Sequence, residues 1–224
     1  MAKPAYRGEE GQAFYLSGRF NKGYEYYADE KNTSGEVSGY TSFMYEYFYF
    51  SGGFYGYWGH YDVNGAVSPV TGGGQQPFNG GGVRLELGAR VPLENHFDVL
   101  IGVDGEVFRE GGRYAKNSND AFSDVITLGF ARLYLNAAPA IDLRFAPPGK
   151  WDMGFRYTLD SYFSLSDLVN KSKNSYLHRL TLHTTFDPVT AYGQIGYTRD
   201  GQRVYSLGLA LGIPLKKKKS EVKL

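Results

Sequence analysis

Between residues 82 and 109 the chain alternates between two chemistries at every step. One row reads Val83, Leu85, Leu87, Ala89, Val91, then Phe97, Val99, Ile101, Val103, Val107. The other reads Arg84, Glu86, Gly88, Arg90, then Asp98, Leu100, Gly102, Asp104, Glu106. A period of two puts alternate side chains on opposite faces of a pleated strand, so this stretch predicts two strands. Residues 92–96 between them contain Pro and Asn, which suit a turn. A hairpin centred on Glu94 sets Arg90 opposite Asp98 and Arg84 opposite Asp104 on one face. It sets Val91 opposite Phe97 and Leu87 opposite Ile101 on the other. Cross-strand pairs of opposite charge contribute roughly 0.2–1 kcal/mol each. One face is apolar throughout and the other carries complementary charge. The fold then turns on which face meets solvent, and on what that solvent is.

The same alternation predicts ten strands in all. The others run over about 12–21, 37–50, 54–62, 122–135, 151–164, 175–186, 189–199 and 202–215. In the second and third strands aromatic residues fill both rows and leave the faces open. Ser51, Gly52 and Gly53 predict a short turn, and residues 64–81 a long Gly/Pro/Gln-rich loop. Residues 136–150, with Pro139, Pro147 and Pro148, predict a connection with room for a short strand at 141–145. Around Asp187 and Pro188, Phe186, Leu182 and Leu180 are expected opposite Ala191, Ile195 and Tyr197. His183 and Arg179 are expected opposite Gln194 and Thr198. A bulge with Gly201 in the left-handed conformation, rather than a two-residue type I′ turn, keeps the next apolar row continuous. It sets Tyr205, Leu207 and Leu211 beside Tyr197, Ile195 and Ala191. Long polar connections (29–36, 63–81, 110–121, 165–174) alternate with short ones (51–53, 92–96, 187–188). The segment 136–150 and the turn at Gly201 break that alternation. If 37–62 or 136–150 divides differently, the count becomes eight or twelve.

Composition removes several classes. There is no cysteine, hence no disulfide framework, and the histidines at 60, 96, 178 and 183 are too scattered for a metal motif. A net charge of +1 exerts no strong pull on nucleic acid. No run of apolar residues is long enough for a transmembrane helix, and the opening MAKPAYRGEE lacks the apolar core of a signal peptide. Three features then favour lipid as the solvent of the apolar row. Lysines fall in loops, tails and strand ends, whereas the charges within strands are Arg, Asp and Glu in possible pairs. The rows are about ten residues long, the length that crosses a bilayer at a tilt. Aromatic residues gather towards strand ends, as at Phe48, Tyr49, Trp58, Trp151, Tyr176 and Phe186. Glycines within strands, such as 88, 102, 154 and 208, suit a small curved barrel.

On this dyad repeat and alternation of loop lengths, over residues 12–215, the chain resembles bacterial outer-membrane β-barrel proteins as a class. The resemblance implies an all-β fold, an antiparallel up-and-down transmembrane barrel of about ten strands. It implies residence in the bacterial outer membrane with the signal peptide already removed, long loops outward and both ends periplasmic. Residues 1–11 would be an N-terminal periplasmic segment, 12–215 the barrel and 216–224 a basic tail. Chains of the class usually end on an aromatic residue, and the lysine run 216–219 departs from that. The tail reads as solvated, with anionic lipid headgroups as the other possible contact.

With the polar row inside, the lumen is expected to be lined by Arg19, Arg84, Glu86, Arg90, Asp98, Asp104, Glu106, Asp152, Arg156, Arg179 and His183. Such residues can line a pathway for an anion or sugar, or they can pair, fill a narrow barrel and lock its register. Their nearly balanced signs favour pairing. Some barrels of the class are hydrolases, and His60, Asp62, His178 and Asp160 near the rim can in principle activate water. No nucleophile–base spacing accompanies them, and a solvated rim is the simpler reading. The expected function is a narrow channel for small polar solutes, without enzymatic activity, metal or cofactor. The alternative is a non-conducting barrel that docks a partner protein through strands two and three or the long loops. The expected surroundings are the lipid bilayer, with no nucleic acid.

Overall fold

The computed structural model describes residues 11–25, 30–63, 74–93, 96–112, 131–147, 151–164, 175–198, 201 and 203–216. They form ten strands: β1 Gly11–Glu25, β2 Glu30–Met44, β3 Phe48–Val63, β4 Gly74–Pro92, β5 Phe97–Gly112, β6 Ala131–Phe145, β7 Trp151–Ser164, β8 Ser175–Phe186, β9 Val189–Thr198 and β10 Arg203–Lys216. Each strand pairs antiparallel with its chain neighbours, and β1 pairs with β10 to close the barrel. Closure leaves no unpaired edge, which a sheet surrounded by hydrocarbon requires.

Alternation decides the faces. Along β5, Asp98, Leu100, Asp104 and Glu106 are buried while Phe97, Ile101, Val103 and Val107 are exposed. The outer surface carries Leu16, Phe20, Leu85, Leu87, Leu143, Phe155, Leu182, Ile195, Leu207 and Leu209. The inner face carries Ser, Thr, Tyr, Arg, Asp and Glu. Apolar outside and polar inside is the inverse of a soluble barrel, and lipid is the medium that suits such an exterior. At the short-turn end an aromatic girdle rings part of the outside. Tyr45 stacks on Phe48 at 4.3 Å, and Phe145 touches both Phe97 (4.8 Å) and Trp151 (5.8 Å).

Several expectations require correction. The turn between β2 and β3 is not Ser51-Gly52-Gly53 but Tyr45-Glu46-Tyr47, and β2 reaches back through the expected loop 29–36 to Glu30. Gly53 lies within β3 because a side chain there would collide with Tyr40: a Cβ would lie 2.3 Å from Tyr40 Cβ and 2.4 Å from the carbonyl oxygen of Gly39. β4 begins at Gly74, so the latter part of the expected loop 64–81 is strand, with Gln76 and Phe78 buried. β6 runs through 136–145, which was expected to be a connection. Pro139 sits on its outward row, and the β6–β7 pairing skips residues 138 and 139, where Pro139 has no N–H to donate. Residues 122–130 lie outside the described residues, as do both terminal segments and the long-loop tips. With the β6–β7 connection now at 146–150, the β2–β3, β4–β5, β6–β7 and β8–β9 connections fall at one end, with the start of β1 and the end of β10, while the turn at Gly201 is a short connection at the other end.

Registers differ from expectation by two residues at three hairpins. Arg84 pairs with Glu106, Glu86 with Asp104 and Val91 with Val99, because the β4–β5 turn closes between Leu93 and Phe97. His96 takes a φ of 70° there. Phe186 pairs with Val189, Leu182 with Gly193 and His183 with Tyr192, because Asp187 and Pro188 alone form the β8–β9 turn. Tyr205 pairs with Ile195, Leu207 with Gly193 and Leu211 with Val189. Gly201 does take the left-handed conformation, at φ 87°. A slip of two leaves every face unchanged, whereas a slip of one would invert it.

Candidate functional site

The inward row builds the lumen in tiers. Nearest the short turns, the Tyr15 ring stacks on Tyr40 at 5.0 Å, and Met44, Tyr49 and Leu100 form an apolar plug. Large inward rings lie over inward glycines one or two strands away. A Cβ on Gly102 would meet the Tyr49 hydroxyl at 2.2 Å, and one on Gly208 the Tyr192 ring at 2.3 Å. Arg90 pairs with Asp98 at 2.9 Å, and Asp142 holds both Arg144 (3.3 Å) and His183 Nε2 (3.3 Å).

Arg156 of β7 spans the middle tier. Its Nη1 donates to Glu86 of β4 at 2.9 Å, and its Nη2 to Asp104 of β5 at 2.8 Å. It reaches both by passing over β6, whose inward Ala138 and Ala140 are small. Above it, Arg84 Nη2 donates to Glu106 at 2.8 Å. The Arg84 guanidinium lies 4.8 Å from the Tyr55 ring centroid, and the Tyr55 hydroxyl donates to the same Glu106. Arg19 holds Glu36 and donates to Gln194 at 3.1 Å, and Arg179 pairs with Asp160 at 2.8 Å.

All the residues expected to line the lumen lie on the inward row, Asp152 included. The charges are held in pairs, since one partner stripped of the other would be a buried lone charge. A water-filled passage leaves its lining accessible. Here Arg156 is 2% exposed and Glu86, Thr181 and His183 are 1% each, so the middle of the lumen is packed. Glu36, Asp142, Arg144 and Asp160 complete the network although they were not expected in it. The first three lay in stretches read as connections. Their signal was nevertheless present, as Asp142 and Arg144 alternate with Ile141 and Leu143.

The rim constellation does not assemble. His60 and Asp62 lie on the outward row of β3 and His178 on the outward row of β8, half-way round the barrel. His178 Nδ1 is 2.8 Å from the Tyr157 hydroxyl, and its ring stacks on Tyr197 at 5.1 Å, while Asp160 points inward to Arg179. Among the described residues no cluster of His, Asp and Glu is arranged to hold a metal.

At the long-loop end the packing opens into a cup of about 210 Å³. Arg19, Glu36, Arg84, Glu106 and Arg179 line its lower part, and Tyr57, Tyr61, Phe78 and Phe108 its β3–β5 wall. Asn21, Asn32 and Ser34 line the β1–β2 wall.

No family model and no curated protein matches the sequence. Among solved structures, the β domain of the Bordetella autotransporter BrkA is 11% identical with a TM-score of 0.50, over 92% of this chain and 100% of that one. An outer membrane channel from Pseudomonas putida F1 is 10% identical with a TM-score of 0.48, over 95% of this chain and 100% of that one. At such identities the likeness concerns the fold alone, which is that of outer-membrane β-barrels.

Proposed function

We propose that this chain is an outer-membrane barrel that does not conduct through its middle and acts from its loop-side mouth. The observation that carries this reading is Arg156, buried between Glu86 and Asp104 across the lumen. Stripping a buried charge of its partners costs about 3–5 kcal/mol. The narrow channel for small polar solutes expected from the sequence would need these pairs to part. Membership of the outer membrane is supported by the closed even-stranded barrel, its apolar exterior and its aromatic girdle. The short turns then face the periplasm and the cup faces outward. The exteriors of β2 and β3 carry Val37, Phe54 and Trp58 in continuity with the apolar band, which suits lipid and favours the mouth over the wall as the working surface.

Planar-bilayer recording tests this reading. The wild-type protein is expected to give no discrete conductance steps. The triple variant Arg156→Ala, Glu86→Gln, Asp104→Asn, which removes the cross-lumen pairs without leaving a lone charge, is expected to leak. Regular steps from the wild type would overturn the proposal.

A further inference from the structure

The cup at the loop-side mouth has two unlike walls over a floor of paired charge, and that combination selects a chemistry. On β3 and β4, Tyr61 and Phe78 lie 4.5 Å apart, and Tyr57 lies 6.0 Å from Phe78, forming a continuous aromatic surface. Beside it, on β1 and on β2, where Asn32 pairs directly with Tyr61, Asn21 donates to Ser34 at 3.2 Å and accepts from Ser206 at 2.8 Å. The cations lining the cup are neutralised: Arg19 by Glu36, Arg84 by Glu106 and Arg179 by Asp160. The floor is nevertheless short of hydrogen bonds. Glu36 Oε1, Arg19 Nε and Arg84 Nη1 are buried with no partner among the described residues.

We infer that this cup binds one ring of a neutral saccharide, an inference that rests on the proposed outward-facing mouth. A sugar ring presents an apolar C–H face, which packs on an aromatic surface, and a girdle of hydroxyls that donate and accept at once. The aromatic wall fits the first, and the amide and hydroxyl wall fits the second. The carboxamides of Asn21 and Asn32, which carry both donors and acceptors, match the dual character of a hydroxyl. The volume of 210 Å³ would hold on the order of seven waters at roughly 30 Å³ each. That is room for a single ring, with a longer chain continuing outward. Paired arginines make the cup a poor host for an acidic sugar, which would need a free cation. A purely apolar ligand would leave the amide wall and the floor unsatisfied.

The test is retention of detergent-purified full-length protein on an array of neutral and uronate-bearing oligosaccharides. Heat-modifiable gel migration certifies that each variant is folded. The folded wild type is expected to be retained on neutral glycans. Tyr61→Ala is expected to weaken retention at least tenfold and Asn32→Leu comparably, from the neighbouring strand. Tyr61→Phe, which keeps the ring and loses the long 3.5 Å contact of the hydroxyl with Glu110, is expected to retain wild-type binding. Retention on uronate glycans alone, retention on none, or a folded Tyr61→Ala that binds as the wild type would each overturn the inference. Because bilayer recording is a separate measurement, a silent barrel without glycan binding sinks this inference alone. A conducting barrel that binds glycans sinks only the closed-lumen proposal.

Discussion

The two faces of each strand obey opposite rules, and β1 displays both within three residues. Gly18 points outward, where an added Cβ would meet nothing within 4 Å. Its neighbours Ser17 and Arg19 point inward, where Ser17 Oγ is 2.6 Å from Ser38 Oγ and Arg19 is held by Glu36 and Gln194. The exterior accepts volume and rejects charge, because its neighbour is fluid hydrocarbon. The interior accepts charge in pairs and rejects volume, because its neighbours are fixed side chains from the far wall. A single sequence position therefore has no general tolerance, only the tolerance of its face.

The sharpest way to break this contrast is Arg156→Ala, which leaves Glu86 and Asp104 buried beside each other. Urea unfolding in lipid vesicles is expected to register a loss of about 3–5 kcal/mol. A loss below about 1 kcal/mol, typical of solvated pairs, would mean that water reaches the middle of the lumen. The reverse experiment puts charge on the outside. Leu207, 71% exposed on β10, is expected to lose about 2–4 kcal/mol on replacement by Arg if it lies near the bilayer midplane. The smallest effects compare volume on the two faces. Gly53→Ala drives a methyl into Tyr40 and the Gly39 carbonyl and is expected to cost about 1–3 kcal/mol. Gly18→Ala is expected to stay within roughly 0.5 kcal/mol of wild type. Equal costs for the two alanines would erase the distinction.

Faces were legible in the sequence because they depend only on parity. The alternation in 82–109 identified Arg84, Glu86, Asp104 and Glu106 as inward without any knowledge of their partners. Register was less legible, because a slip of two preserves every face and is decided by a few turn atoms, such as Leu93 N donating to Phe97 O at 2.7 Å. Glycine was misread at 51–53 because it serves two ends: it turns a chain, and it makes room for a ring. The actual turn, Tyr45-Glu46-Tyr47, contains neither Gly nor Pro. Proline misled at 139, where an outward position next to a gap in the ladder tolerates it. The link from Arg156 to Glu86 was out of reach, since it joins residues three strands apart and depends on the small side chains of Ala138 and Ala140 between them. For the same reason His60 and His178 looked neighbourly from their place near the rim, yet they stand on opposite walls.

The pairing of β1 with β10 has a consequence for timing. It joins Phe14 to Ile213 and Phe20 to Leu207, contacts between the two ends of the chain. Contacts so distant in sequence form slowly, and any fragment lacking one of these strands offers two raw edges to its surroundings. An edge in hydrocarbon has no water to satisfy it. The barrel therefore has no useful half-built form in the membrane. Until its last strand arrives it must be shielded, or its open first strand will pair with whatever strand is nearest.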